Sequence, residues 1–154
     1  QDSKYSEATT VLNSLTDTAY KEFNAIYSNS YILNYVINNN LTRIINHNIN
    51  IKTEIKYSDF DSLDYFTQLT LFEYFVNLSI DSCIQTTALD KIIMIKSVKT
   101  ANKIILKVFY SASSINEDII AQNINEILLN ENYSLSIKAD DMYASILLSF
   151  DISS

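Results

Sequence analysis

The sequence of 154 residues contains no glycine and no proline. An average protein of this length would have roughly twenty of the two together. Glycine lets a backbone adopt positive φ angles and curl closely around phosphate groups, because it has no Cβ atom. Its absence excludes every glycine-rich phosphate loop, including the nucleoside-triphosphate loop and the dinucleotide fingerprint. The turns of this chain must therefore be formed by Asn, Asp and Ser.

The composition is that of one folded domain, with 47% hydrophobic and 19% charged residues. A net charge of −7 and a single Arg, Arg43, argue against nucleic acid as a partner, since phosphate binding requires clustered Lys and Arg. No apolar run approaches the roughly 20 residues that span a bilayer, and the polar first ten residues do not resemble a signal peptide. The lone thiol of Cys83, in an apolar helical stretch, is expected to be a small buried hydrophobe. These features predict a cytoplasmic protein with no membrane and no nucleic-acid partner.

Hydrophobic periodicity predicts helices that alternate with strands and hairpins. Apolar residues at three- and four-residue spacing indicate helices, whereas strict alternation indicates strands with one buried face. Ser114 and Glu117 form a capping box that predicts a helix start after the second strand of the first hairpin. The predicted order is a helix over 6–28, a helix over 30–46, a strand over 49–57, a helix over 61–86, strands over 91–98 and 103–111, a helix over 114–130, and a terminal hairpin over 133–150.

This order predicts an α+β fold, a two-layer α/β sandwich with helices on one face of a mixed sheet. Residues 1–46 would form an N-terminal helical element and residues 47–154 the sandwich. Aromatic side chains on a helix that its own domain cannot bury often mark a partner surface. We therefore expect the N-terminal helices either to pair with a second copy or to cap the sandwich. The aromatic residues concerned are Tyr20, Phe23, Tyr27, Tyr31 and Tyr35.

Residues 75–83, FVNLSIDSC, lie on the long predicted helix, ahead of the hairpin KIIMIKSVKTANKIILKVFYSAS over 91–113. This arrangement resembles the ATP-binding half of bacterial histidine kinases, whose long helix carries an Asn-Leu-x-x-Asn-Ala box. Asn77 and Leu78 match the opening of that box, and Asp81 stands where the family has its magnesium-binding Asn. The glycine boxes of the family have no counterpart, because after Val108 the chain reads FYSASSINED. The resemblance implies a kinase-like fold whose nucleotide box, at Asn77 and Asp81, is degenerate.

The missing glycines and the short segment between the hairpins resemble the ChpT-type histidine phosphotransferases more closely. These are dimers that kept the kinase architecture and lost ATP binding. The resemblance implies a component of two-component signalling that docks the receiver domain of a response regulator. It also implies a homodimer formed through the N-terminal helices, no nucleotide cofactor and no ATPase activity.

The phospho-accepting residue of that family is a His in a His-Asp-Leu context on a helix. The only His here is His47, in IINHNIN at the foot of the first predicted strand, with no acidic neighbour in sequence. A phosphoryl acceptor needs an exposed imidazole on a rigid helix, so a solvated loop residue is the favoured interpretation of His47. Either a helix carrying the acceptor His precedes this sequence, or the protein is a relative that works by binding without phosphotransfer.

Two groups of polar residues are candidates for a metal site. Asn77 and Asp81 share a helix face at i and i+4, yet magnesium prefers more oxygens than these two side chains provide. Asp59, Asp61 and Asp64 cluster at a helix start, where capping and the helix dipole explain them. We therefore expect no metal, and we interpret Asn77 and Asp81 as the polar edge of the helix, bonded to each other or to the hairpin.

A second class of function fits the same composition. The alternative is a small acidic binding protein, such as a type III secretion chaperone or a viral or phage inhibitor. Such chaperones are also acidic α/β dimers of this size. A chaperone would dimerise through the sandwich and bind extended peptide. A phosphotransferase relative would dimerise through the N-terminal helices and bind a receiver domain.

Overall fold

The computed structural model describes residues 30–151, except for the side chains of Tyr57 and Ser58. The predicted helix over 6–28 lies outside the described residues. Within them, no helix is long and apolar enough to cross a membrane.

The predicted helix over 30–46 is two helices, α1 (Tyr31–Asn39) and α2 (Leu41–Asn46). Ser30 is the N-cap of α1, and its Oγ accepts a hydrogen bond from the Leu33 N–H at 3.2 Å. The break falls at Asn40, whose φ of −110° and ψ of 8° are not helical. Its side-chain Nδ2 donates to the carbonyl of Val36 at 2.9 Å. Asn competes for backbone hydrogen bonds in this way, which explains why the Asn run interrupts the helix.

The long helix, α3, spans Tyr65–Gln85 and begins later than the sequence predicted. Residues Tyr57–Phe60 form a 3-10 turn instead. Asp64 then caps α3, because its Oδ1 accepts a hydrogen bond from the Thr67 N–H at 2.7 Å. That bond stabilises the carboxylate and lowers the pKa of Asp64.

The strands form one mixed sheet, whose order within the described residues is β1-β2-β3-β5-β4. The pairing of β1 with β2 is parallel, and every other neighbouring pair is antiparallel. This is the mixed sheet that the sequence predicted. The strands are β1 (Ile49–Glu54), β2 (Lys91–Lys99), β3 (Lys103–Ser111), β4 (Tyr133–Ala139) and β5 (Tyr143–Asp151).

The turns form without glycine because short polar side chains bond to the backbone. In the β2–β3 hairpin, the Thr100 hydroxyl Oγ1 accepts a hydrogen bond from the Lys103 N–H at 3.0 Å and donates to the Lys103 carbonyl at 3.2 Å. In the β4–β5 hairpin, Asp140 Oδ1 accepts from two backbone N–H groups that follow it, both at 2.8 Å, which lowers the pKa of Asp140. Asn48 has a φ of 53°, the one positive φ among the described residues. Asn tolerates this region better than most residues that carry a Cβ.

The last helix, α4, spans Glu117–Ile127 and its N-cap is Asn116. Asn116 Oδ1 accepts a hydrogen bond from the Ile119 N–H at 3.1 Å. The predicted capping box with Ser114 is therefore wrong, because Asn116 lies directly before the helix with an extended backbone and takes the capping position. Glu117 and Asp118 lie in the first turn, where the helix dipole favours negative charge.

The core lies between α3 and one face of the sheet, which we call the inner face. Helical periodicity turns the apolar side of α3 towards the strands, and strand alternation turns every second strand residue towards α3. Both sets of side chains have no exposed surface. On α3 they are Leu71, Phe72, Phe75, Val76, Ile80 and Cys83, and on the inner face they include Ile93, Ile95, Leu106, Val108, Ile146 and Leu148.

Replacing Phe72 by Ala should lower the free energy of unfolding by about 3–5 kcal/mol, because it leaves a cavity in this core. The Phe72 ring meets the Phe60 ring edge-on at a centroid distance of 5.5 Å, so the loss includes an aromatic contact. Urea unfolding followed by circular dichroism measures the change. Leu89 is fully exposed, so Leu89→Ala should change the same quantity by less than about 0.5 kcal/mol. Equal effects in the two variants would contradict the packing of α3 on the sheet.

Candidate functional site

The polar edge of α3 is held by the single Arg of the chain. Arg43, on α2, reaches Asn77 and Asp81, which lie one turn apart on α3. Its Nη1 donates to Asn77 Oδ1 at 3.2 Å, and its Nη2 forms an ion pair with Asp81 Oδ1. Nη1 also donates to Asn40 Oδ1 at 3.3 Å. One guanidinium therefore binds three side-chain acceptors and ties α2 to α3.

The side chains of Asn77 and Asp81 both bond to Arg43 on α2, and no hydrogen bond within the described part of the chain joins them to each other or to the hairpin. The amide nitrogen of Asn77 donates back into its own helix, to the carbonyl of Glu73 at 2.8 Å. The side chains of Arg43 and Asp81 are 39% and 58% exposed, so water screens the pair. An ion pair of this kind contributes about 1 kcal/mol or less to stability. The contacts of Arg43 matter here because they occupy Asn77 Oδ1 and Asp81 Oδ1, the oxygens that a metal ion would need.

The acidic residues at the start of α3 have separate roles. Asp59 is buried and accepts a hydrogen bond from Ser97 Oγ at 2.6 Å, which fixes the 3-10 turn to β2. Asp64 caps α3, and Asp61 ends the 3-10 turn. Over residues 30–151 there is no group of three or more His, Cys, Asp and Glu side chains placed to hold a metal ion.

Two adjoining hollows open between α3 and α4, and we call them together the α3–α4 groove. The smaller hollow, about 390 Å³, includes Asn77 and Asp81 in its lining. The larger, about 560 Å³, extends towards the start of α3. Tyr74, Asn77 and Asn123 line both hollows, so the two are continuous.

The lining of the groove is acidic and rich in amides. Glu73 and Glu126 line the larger hollow, and Asp81 lines the smaller. Among the described residues that line either hollow there is no Lys and no Arg. Glu73 and Glu126 give the larger hollow a negative charge, whereas the Asp81 carboxylate in the smaller hollow is paired with Arg43. The larger hollow therefore favours polar or cationic groups over phosphates.

Two tyrosine hydroxyls contribute to the groove in their neutral form. Tyr110 lines the smaller hollow from β3, is fully buried, and its Oη has no hydrogen-bond partner among the described residues. Burial raises the pKa of Tyr110 to about 12. Asn123 Nδ2 donates to Tyr74 Oη at 3.4 Å, and burial raises the pKa of Tyr74. Both groups are protonated at neutral pH.

Cys83 lies at the inner side of α3, away from solvent. Its Sγ is 3.7 Å from the carbonyl oxygen of Ile92. Burial raises the pKa of Cys83 to about 11, so the thiol is protonated at neutral pH and is a poor nucleophile. The expectation of a small buried hydrophobe is confirmed.

His47 lies outside the groove. It is the C-cap of α2, it is exposed, and it connects α2 to β1. It is not among the residues that line either hollow. This position agrees with the interpretation of His47 as a solvated residue in a connection.

The sequence did not point to Arg43, Asn123 or Tyr110 as parts of a site. Arg43 precedes Asn77 by 34 positions, and no local pattern relates the two. The only signal was that Arg43 is the single Arg of the chain. Asn123 and Tyr110 are one Asn among many and one core aromatic, and only the packing of α4 beside α3 brings them together.

No model of a known protein family matches the chain, and no curated protein matches it in sequence. Solved structures are nevertheless similar in fold. The nucleotide-free catalytic domain of the histidine kinase ThkA gives a TM-score of 0.60 at 14% identity, covering 78% of this chain and 89% of that chain. The Acinetobacter baumannii histidine kinase AdeS gives 0.63 at 9% identity, covering 80% and 64%. ThkA in complex with the response regulator TrrA gives 0.53 at 16% identity, covering 96% and 50%.

These similarities show the fold. The sheet and the helices on its inner face have the arrangement of a histidine-kinase catalytic domain, preceded here by α1 and α2. The predicted α+β fold class is confirmed.

Stability should fall at alkaline pH because of Cys83. Above the ordinary thiol pKa near 9 the unfolded chain releases the thiol proton, whereas the folded chain keeps it until about pH 11. The folded state then binds more protons than the unfolded state, so the free energy of unfolding decreases with pH, by about 1 kcal/mol at pH 10. Cys83→Ala removes this part of the decrease, which urea titrations at a series of pH values measure.

A matched control separates titration from packing. Ile80→Val also trims a buried residue of α3 but removes no titratable group, so it should lower stability at every pH and keep the native pH profile. An unchanged alkaline slope in Cys83→Ala would show that the thiol does not contribute.

Proposed function

We propose that the protein is a histidine phosphotransferase-like component of two-component signalling, of the ChpT type. It binds the receiver domain of a response regulator and does not bind ATP. The fold supports this proposal, because the structures it resembles are histidine-kinase catalytic domains. One of them, ThkA, is seen in complex with its response regulator.

The observation that carries the proposal is the contact of Arg43 with Asn77 and Asp81. By the resemblance to histidine kinases, these two positions belong to the box that serves nucleotide and magnesium. Here their oxygens bind a guanidinium supplied by the chain itself. A fixed positive charge therefore stands where a nucleotide-binding relative would recruit a metal ion.

The surroundings of the groove also disfavour a nucleotide. Residues 112–116 alone connect β3 to α4, so no long loop is available there to enclose phosphates. The chain has no glycine with which to build a backbone nest for them. Glu73 and Glu126 add negative charge beside the groove, and a triphosphate would be repelled.

The N-terminal element, residues 1–46, is the part that we assign to homodimer formation. Its described portion exposes the rings of Tyr31 and Tyr35 on α1, at 77% and 54% of their surface. Large exposed aromatic side chains favour a protein interface. We therefore place the proposed homodimer interface on this element.

Magnesium and ATP at millimolar concentration should leave the melting temperature unchanged. A ligand present at its own dissociation constant stabilises the folded state by about 0.4 kcal/mol, so differential scanning fluorimetry detects even weak binding. Arg43→Ala should also show no shift, because removing the guanidinium restores neither a phosphate nest nor an enclosing loop. A clear shift in the native protein would overturn the assignment. A shift in Arg43→Ala alone would show that Arg43 is the single barrier to nucleotide binding.

Receiver binding is tested with a panel of purified receiver domains, each phosphorylated on its acceptor aspartate with radioactive phosphate. We expect at least one receiver to form a complex in size-exclusion chromatography, and the label to stay on the receiver. His47→Ala should bind the same receiver equally well, because His47 lies in a connection away from the groove. Label that moves to the native chain but not to His47→Ala would identify His47 as a phosphoryl acceptor. If no receiver in the panel formed a complex, receiver docking would be wrong.

A further inference from the structure

The sheet face that points away from α3, here called the outer face, combines lysines with apolar side chains. Strand residues alternate between the two faces, and the buried residues of each strand identify the inner one. Apart from the buried Ser111 at the end of β3, the outer-face side chains are half-buried or exposed in the part of the chain that is described. Those on which the inference rests are Lys52, Met94, Lys96, Lys107, Phe109 and Lys138.

The strand register sets an apolar pair between two lysines. Lys52 on β1 is opposite Met94 on β2, and Met94 is opposite Phe109 on β3. The same row continues through Ser145 on β5 to Lys138 on β4. With about 4.8 Å between neighbouring strands, the two lysine backbones stand about 19 Å apart across the sheet. Basic residues thus flank an apolar strip on both sides.

The next row places Lys96 and Lys107 directly opposite each other. Like charges in this position destabilise a sheet. Lys96 Nζ has Glu54 Oε2 at 3.9 Å, whereas Lys107 has no carboxylate partner among the described residues. Lys107 Nζ lies instead 6.0 Å from the centroid of the Phe109 ring. Only one lysine of this like-charged pair has a carboxylate partner, and a local conflict of this kind is typical of a functional surface.

The outer face has the opposite charge to the rest of the molecule. The whole chain carries −7, and the α3–α4 groove is lined by carboxylates. On the outer face lysines outnumber the two acidic side chains, Glu54 and Asp151. A basic surface on an acidic protein attracts a negatively charged partner to that face and orients it there.

We propose that the outer face is a docking surface for an acidic amphipathic segment of a partner protein. Carboxylates of the segment pair with Lys96 and Lys107, and its apolar side chains pack on Met94 and Phe109. This proposal does not rest on the binding of a receiver domain at the other side of the molecule.

The observations favour a polypeptide over a nucleic acid. The Phe109 ring is already stacked on Tyr143, with centroids 5.0 Å apart, so that face of the ring is not open to a base. Met94 and its aliphatic neighbours suit apolar side chains. The net charge of −7 also repels a polyphosphate at longer range.

The test uses a fluorescein-labelled synthetic helix with Glu on one side and Leu on the other, and measures its anisotropy at low salt with the full chain. Lys107→Glu should weaken binding of this peptide by about tenfold, equivalent to about 1.4 kcal/mol. The same substitution should not lower the melting temperature, because it converts the like-charged pair with Lys96 into an opposite-charged one. A loss of binding without a loss of stability separates docking from folding.

The matched control is Lys99→Glu. It changes the net charge equally, but Lys99 is exposed at the end of β2 and pairs with Ile104 in the inner-face register. It should leave peptide binding within about twofold of the native value, since screening limits distant charges.

Four outcomes would overturn the proposal. The native protein does not bind the peptide, or Lys107→Glu and Lys99→Glu weaken binding equally, which indicates attraction by net charge alone. A labelled oligouridine binds in place of the peptide and is lost in Lys107→Glu, which assigns the face to nucleic acid. Sedimentation shows a self-association of the native chain that Lys107→Glu removes, which assigns it to a second copy.

Discussion

The packing of α3 on the inner face of the sheet determines the rest of this structure. Phe72, Phe75 and Ile80 have no exposed surface because they lie on the side of α3 that meets the strands. At 100° per residue, that orientation turns Asn77 and Asp81 to the edge of the helix, where Arg43 of α2 binds them and the α3–α4 groove begins. Successive residues of a strand point to opposite faces of the sheet, so Lys96 and Lys107 point away from α3 while their neighbours face it. One apolar interface therefore places both the groove and the outer face.

The lack of glycine shapes the surface more than the core. Apolar burial needs no special backbone, and the two layers form as they do in other proteins. Tight turns, by contrast, do need a special backbone conformation, which glycine usually provides. In this chain polar side chains stabilise the turns instead, as when Asp140 accepts hydrogen bonds from two backbone N–H groups. Asn48 supplies the single positive φ of the described residues. A chain restricted in this way can bind an anion with a charged side chain, but it lacks the glycines with which phosphate loops curl closely around a phosphate.

Periodicity was sufficient to predict the layers, the mixed sheet and most element boundaries, because burial of one face imposes a repeat on the sequence. The predictions that were wrong concern places where neighbouring polar side chains compete for the same backbone hydrogen bonds. Asn40 divides the predicted helix over 30–46, and Asn116 caps α4 where Ser114 was expected, since several Asn and Ser residues compete for the same backbone groups. The site was harder to predict. Asn77 and Asp81 could be located on one helix face, but the partner of both, Arg43, becomes adjacent only when α2 folds against α3.

The net charge of −7 is the sum over the whole chain and does not show how the charge is distributed. The strand register places lysines together on one face of the sheet. As a sum, the net charge argues that a polyphosphate is repelled at long range. Within a Debye length, however, a partner experiences the local face, and the two faces differ in sign. The groove with Glu73 and Glu126 lies on the helical side, and Lys96 and Lys107 lie across the sheet from it. Since the core separates these surfaces, the groove and the outer face lie on opposite sides of the sheet and present opposite charges to a partner.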